Sequence, residues 1–399
     1  LDTSFALAEY KRFLAALQSE PTEDTLRAAV AAMRRIVTRA GLREGERRLL
    51  GAYLVLFDGH DVARAESQLR QLIAEDSTFL DGWFALGEVR YHWGALAGLP
   101  PDSAVAAFNH ALALWPNAAP ALMHLIALEL WLGRDQAADT NIARYLAIDS
   151  VSTVGHAIAL GKTVLRGSIR EQEAVLRRLG SREERVLVFS AIAGATIARD
   201  RRDLINARLA FEELARPGRS MPMRRIGANF ALATLLAEGR YSHLARDLER
   251  YRSELPGDAD LPRWRTPAAG LGCGGGARPE VADIGALRAI DPMAAPFHPF
   301  ATAWPERYEL AKLQLARGDT AGALRFFEAQ DFVASVGDIV VRGPVWLARG
   351  RILLARKDRS GAERYFRRAA DLLRYAEPPW DTLFVAARTE LRGLGVTIR

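Results

Sequence analysis

The sequence predicts an all-α protein built from repeated helix-turn-helix units, and three observations carry that prediction. First, Trp83, Leu86 and Gly87 share one helix, and Ala104, Phe108, Ala111 and Pro116 follow on the next at i, i+4, i+7 and i+12. Second, the register runs on in both directions. Leu122, Leu125 and Ala138 continue it downstream, and Ala65, Leu69, Leu72 and Ser77 precede it. Third, the pattern returns near the far end, where Trp346 and Gly350 are followed by Ala362, Phe366 and Ala369 at the same internal spacing. Packing is the reason for such a pattern. Small residues let paired helices approach, a large aromatic fills the groove between them, and proline stops the second helix.

Taken in order, the chain reads as helical nearly throughout. Apolar residues at Phe5, Leu7, Tyr10, Phe13, Leu14 and Leu17 lie on one helical face. Pro21-Thr22-Glu23 opens a second helix that runs to about Arg39 and ends at Gly41. Helices over 46–57 and 62–76 follow, broken at Asp58-Gly59. Between Gly87 and Ala104 lie 16 residues where the repeat allows about 11, so 94–101 is expected to be a lengthened inter-helix loop. From Ser152 the register weakens, since His156 and Gln172 stand where large apolar and small residues belong. Helices are still expected over 182–199, 203–215, 223–238 and 241–255. The stretch 256–302 is rich in Pro and Gly, including Gly270-Leu271-Gly272-Cys273-Gly274-Gly275-Gly276, and reads as an irregular insert or linker. The expected organisation is therefore a helical array over 1–255, the insert over 256–302, and further repeats over 303–399. In the last part Leu310, Ala323 and Phe327 keep the register, and a helix over 380–394 caps the open end.

These units resemble the tetratricopeptide repeat, whose 34-residue motif places Trp, Leu and Gly at positions 4, 7 and 8 and Ala, an aromatic, Ala and Pro at 20, 24, 27 and 32. The resemblance implies a right-handed solenoid in which each unit packs on its neighbours. Arg43 to Leu50, then Leu86 to Gly94, and the closing 365–379 also resemble the helical tails of bacterial signalling proteins that carry a serine/threonine kinase or winged-helix domain ahead of such an array. No kinase motif is present. What the likeness implies is a sensory or docking module, and a start at Leu1-Asp2-Thr3 suggests a preceding segment. In the family, positions 2, 5, 9, 12 and 13 of the first helix line the concave groove. Here they are Asp81, Phe84, Glu88, Tyr91 and His92, with Met123 and Trp131 at positions 5 and 13 of the next unit. A mixture of acid, aromatic and Met suits a protein or peptide partner.

Charge and chemistry give no competing reading. The formal charge is +6, and all but Lys11, Lys162, Lys312 and Lys357 of the 54 basic residues are arginine. They are dispersed, with acidic neighbours, which argues against a dedicated nucleic-acid surface. No apolar run reaches the roughly 20 residues of a membrane span, and one cysteine, Cys273, excludes an internal disulfide. The compartment, cytoplasmic or periplasmic, and the oligomeric state stay open. Gly161-Lys162-Thr163 lacks the upstream glycine and strand of a phosphate loop, and Gly270, Gly272 and Gly275 sit between prolines rather than in a strand-to-helix turn. The seven histidines contain no i, i+4 pair, so no metal site and no cofactor is expected. No catalytic constellation emerges. The expected function is a non-catalytic interaction or sensory module. The alternatives are a scaffold subunit or a small-ligand-sensing regulator with the 256–302 insert as its lid.

Overall fold

The computed structural model describes residues 8, 23–38, 42–178, 184–258, 261–264, 304–331 and 336–396. Among them every regular element is a helix. The first pairs are α1 (Glu23–Val37), α2 (Glu44–Phe57), α3 (Val62–Glu75), α4 (Leu80–Glu88), α5 (Ser103–Leu114), α6 (Ala119–Leu132) and α7 (Asp135–Ile148). Next come α8 (Thr153–Arg166), α9 (Ile169–Arg178), α10 (Glu184–Ile197), α11 (Arg201–Leu214), α12 (Met221–Ala237) and α13 (Tyr241–Glu254). The last are α14 (Trp304–Ala316), α15 (Thr320–Asp331), α16 (Arg342–Ala355), α17 (Arg359–Leu372) and α18 (Asp381–Gly393). Most helices pack on a chain neighbour, and the pairs stack into a helical-repeat solenoid. Apart from Ala8, the initial helix expected over 5–17 lies outside the described residues, as does the glycine run 270–276.

The repeat motif works as a packing lock. Gly87 sits against the Phe108 ring, and Gly350 against the Phe366 ring, so closely that a Cβ at either glycine would overlap the aromatic carbons. Ala104, Phe108 and Ala111 are completely buried, and so are Ala362, Phe366 and Ala369. Within a pair the turn is equally stereotyped. His60, Gly133, Gly318 and Lys357 hold equivalent places and all have positive φ, between 51° and 84°. The next residue is often aspartate, whose carboxylate caps the second helix. Asp61 accepts from the Arg64 amide at 3.0 Å, Asp319 from Gly322 at 2.8 Å and Asp358 from Gly361 at 2.9 Å.

Where the motif weakens, helices persist because other side chains take over. Gln172 occupies a small-residue position yet is fully buried, and its amide donates to the Asn206 carbonyl at 2.5 Å. The expected loop over 94–101 is only partly a loop. After Glu88 the chain continues as a π-helical turn, Val89–Trp93, and then a 3₁₀ turn, Gly94–Ala97. The extra residues are thus absorbed first by widening the helix and then by tightening it. Leu261 and Trp264, expected in the insert, are buried instead, and the Trp264 indole donates to Asn229 at 2.8 Å.

The C-terminal repeats fold back onto the middle of the array. One core cluster holds Leu214, Leu236, Trp264, Phe327, Trp346 and Phe366 together. Arg342, 1% exposed, donates to the carbonyls of Ala195 and Ala198 at 2.9 Å each and of Thr196 at 2.6 Å, capping the C-terminus of α10. The cation also meets the negative end of that helix dipole. Asp371 accepts from the Arg201 amide at 3.1 Å at the start of α11, and Glu377 accepts from the Ser242 amide at 2.7 Å at the start of α13. Farther round, Phe326 lies 3.6 Å from where a side chain at Gly98 would begin.

Candidate functional site

The first helices of two adjacent pairs, α4 with its π turn and α6, share an apolar cluster and also meet through a group of polar side chains. Glu88 ends α4, and Tyr91 and His92 stand on the π turn. Arg90, on the same turn, holds it in place by pairing with Glu66 at 2.6 Å and donating to the Ser103 carbonyl at 2.9 Å. Trp93 closes the turn edge-on against Phe57, with ring centroids 5.4 Å apart. His124 reaches across from α6, one turn after Pro120.

The geometry is tight. The Nε2 atoms of His92 and His124 are 2.9 Å apart. Glu88 places Oε1 at 3.3 Å from His124 Nε2 and Oε2 at 3.7 Å from His92 Nε2. His124 Nδ1 lies 2.8 Å from the Pro120 carbonyl oxygen, which can only accept. That bond puts the His124 proton on Nδ1 and leaves Nε2 with its lone pair directed at the cluster. Tyr91 stands edge-on to the His124 ring at 4.3 Å, and Phe108 stacks on its other side at 5.1 Å. The aromatic of the packing lock thus also orients a histidine.

Burial sets the electrostatics. Glu88 is 6% exposed and His124 4%, whereas the His92 side chain is 30% exposed. Burial pushes the Glu88 carboxyl above its ordinary 4.5, with His124 opposing the shift. It drives His92 well below 6.5, and the neighbouring His124 adds to the effect. The Tyr91 phenol is raised above 10 by burial and by the Glu88 charge. Glu88 Oε1 accepts no hydrogen bond although it is buried. The group therefore brings three electron-pair donors together, their ligand atoms within 4.8 Å of one another.

Of the residues expected to line a groove, Glu88, Tyr91 and His92 come together, and His124 completes the group. Phe84 is buried beside Phe108, with ring centroids 6.1 Å apart. Asp81 is half-buried in the first turn of α4, and Met123 and Trp131 are half-buried on α6. No two histidines stand four residues apart, so histidine spacing alone does not reveal this arrangement. The i, i+4 relation exists, but between Glu88 and His92, and the third donor comes from the next repeat, 32 residues on.

No family model matches the chain, and no curated protein matches it. Among solved structures, the chain is similar to a tetratricopeptide repeat protein from Parabacteroides merdae ATCC 43184. The identity is 15% over 86% of this chain and 98% of that chain, with a TM-score of 0.28. Among the described residues no helix is long and apolar enough to cross a membrane.

Proposed function

We propose that this chain is a non-catalytic interaction module that binds a peptide or a helix of a partner protein along its first-helix face. The observation that supports this is the set of half-buried side chains Tyr91, His92, Met123 and Trp131 on the first helices of two adjacent pairs. Aromatic and Met side chains on a rigid helical scaffold supply contact area at small entropic cost. The likeness of 43–50, 86–94 and 365–379 to the tails of bacterial signalling proteins supports a regulatory setting for the module. The dispersed arginines favour partner recognition over nucleic-acid binding as its task.

A second reading, a scaffold subunit, draws on a different surface. Leu114 and Ile148 hold equivalent places at the ends of the second helices α5 and α7, and are 42% and 41% exposed. Trp115 at 52% and Val151 at 82% extend the same edge. The test is capture from source-cell lysate, followed by affinity measurement with the purified partner. A Met123→Ala/Trp131→Ala variant loses the partner if the first-helix face binds it. Retention by that variant, with loss in Trp115→Ser/Val151→Ser, overturns the first reading in favour of the second.

A further inference from the structure

We propose that Glu88, His92 and His124 form a binding site for one divalent transition-metal ion of the zinc class, shared by the first helices of two adjacent repeats. The chemistry is that of a two-histidine, one-carboxylate donor set, which suits zinc-type ions and leaves an open coordination position. The distances suit it as well. Ligands bound at about 2.0–2.2 Å stand roughly 2.9 Å apart at a right angle and roughly 3.4 Å apart in a tetrahedron. The two histidine Nε2 atoms are 2.9 Å apart, Glu88 Oε1 lies 3.3 Å from His124 and Oε2 3.7 Å from His92, and one ligand atom from each residue can be chosen with all of them within 4.8 Å of one another.

Three further observations point to a ligand rather than to a self-contained polar cluster. Glu88 Oε1 is buried without a hydrogen-bond donor, and two adjacent imidazoles offer it no permanent positive charge. His124 donates its other ring nitrogen to the Pro120 carbonyl, the outer contact by which metal-ligating histidines are commonly oriented. The rare π turn places His92 over the same face as Glu88, and such turns occur often at functional sites. His92, the most exposed of the three, marks the side from which an ion enters and on which its open position faces water or a partner group. The inference shares only His92 with the partner-binding reading and does not depend on it, since Met123 and Trp131 take no part.

The experiment is calorimetric titration of the full chain, freed of metal with a chelator, with zinc chloride and separately with magnesium chloride. One equivalent of zinc binds, and magnesium does not. Glu88→Gln, which keeps the shape of the side chain, and His92→Ala each lower zinc affinity by at least about 100-fold, beyond the 10–100-fold cost of losing an outer contact. His110→Ala, which changes an exposed histidine stacked on Trp83, leaves it unchanged. Zinc also raises the thermal midpoint of the wild type and not of Glu88→Gln. Absence of saturable zinc binding, or equal binding by wild type and Glu88→Gln, overturns the proposal and leaves the trio as a hydrogen-bonded cluster.

Discussion

The repeat unit that starts at Trp83 and the one that starts at Trp346 share a lock but not a face. In both, a glycine on the first helix receives the ring of a phenylalanine on the second. The place after that glycine differs. It is Glu88 in the first unit, buried and aimed at His124 of the following first helix. In the last unit it is Arg351, exposed and paired at 2.8 Å with Glu390 of α18. Both side chains bridge to the next helix, with opposite charge and opposite burial. Tyr91 and His92 correspond to Leu354 and Ala355, so the last unit has no donor cluster. Around its lock, Arg349 lies over the Tyr365 ring at 4.1 Å and Arg368 over the Trp346 ring at 5.8 Å. The lock makes the fold, and the bridging place is free to carry something else.

Truncating the aromatic tests the shared part and has the largest expected effect. Phe108→Ala and Phe366→Ala should each cost about 3–5 kcal/mol, measured by urea unfolding. A cost far smaller in one of them would break the equivalence of the two units. Phe108→Ala should also weaken zinc binding, because its ring stacks on His124, whereas Phe366→Ala should not.

Arg342→Met comes next. It removes the donors that satisfy three buried carbonyls at the end of α10, and each orphaned group costs about 1–3 kcal/mol. A loss of about 3 kcal/mol, with early proteolysis near the α15–α16 connection, would show that the last units are held by this rivet. An unchanged midpoint would show that they are not.

The bridging place itself gives effects of opposite sign. Glu88→Gln removes a buried carboxylate that burial disfavours in its charged form, so the metal-free protein should gain about 1 kcal/mol at neutral pH. Arg351→Gln removes an exposed pair and should lose less than about 1 kcal/mol. A destabilised metal-free Glu88→Gln would mean that the carboxylate is already satisfied.

The smallest effect is at Glu377. Burial raises its pKa, but hydrogen bonds from Ser242 and the charge of Arg240 outweigh it and hold the carboxyl below 4.5. A depressed folded value means stability present above 4.5 and lost as pH falls through the folded value. Thermal midpoints of wild type and Glu377→Gln should therefore differ near neutrality and converge in acid. A gap that persists in acid would contradict this.

The lock was legible because it is a volume constraint repeated at a fixed interval. Gly87, Phe108, Gly350 and Phe366 announce it without any structure. The capping aspartates keep the same interval, Asp61, Asp319 and Asp358 each standing four residues before Ala65, Ala323 and Ala362, but only the structure singled them out. Arg342 was not readable, because its acceptors are main-chain atoms more than 140 residues away. The donor cluster lay between these cases. Sixteen residues between Gly87 and Ala104 signalled a departure, but sequence alone does not tell a π turn from a loop. A search for paired histidines also passes over a glutamate and histidine one turn apart that are completed by the next repeat.

The most direct test of the central claim, that the bridging place of the Trp83 unit holds an ion, is anomalous diffraction at the zinc edge from crystals grown with one equivalent of zinc. A single strong peak about 2.0–2.2 Å from Glu88, His92 Nε2 and His124 Nε2 is the result the account predicts. An empty cluster, with zinc found only at exposed histidines such as His110, would contradict it.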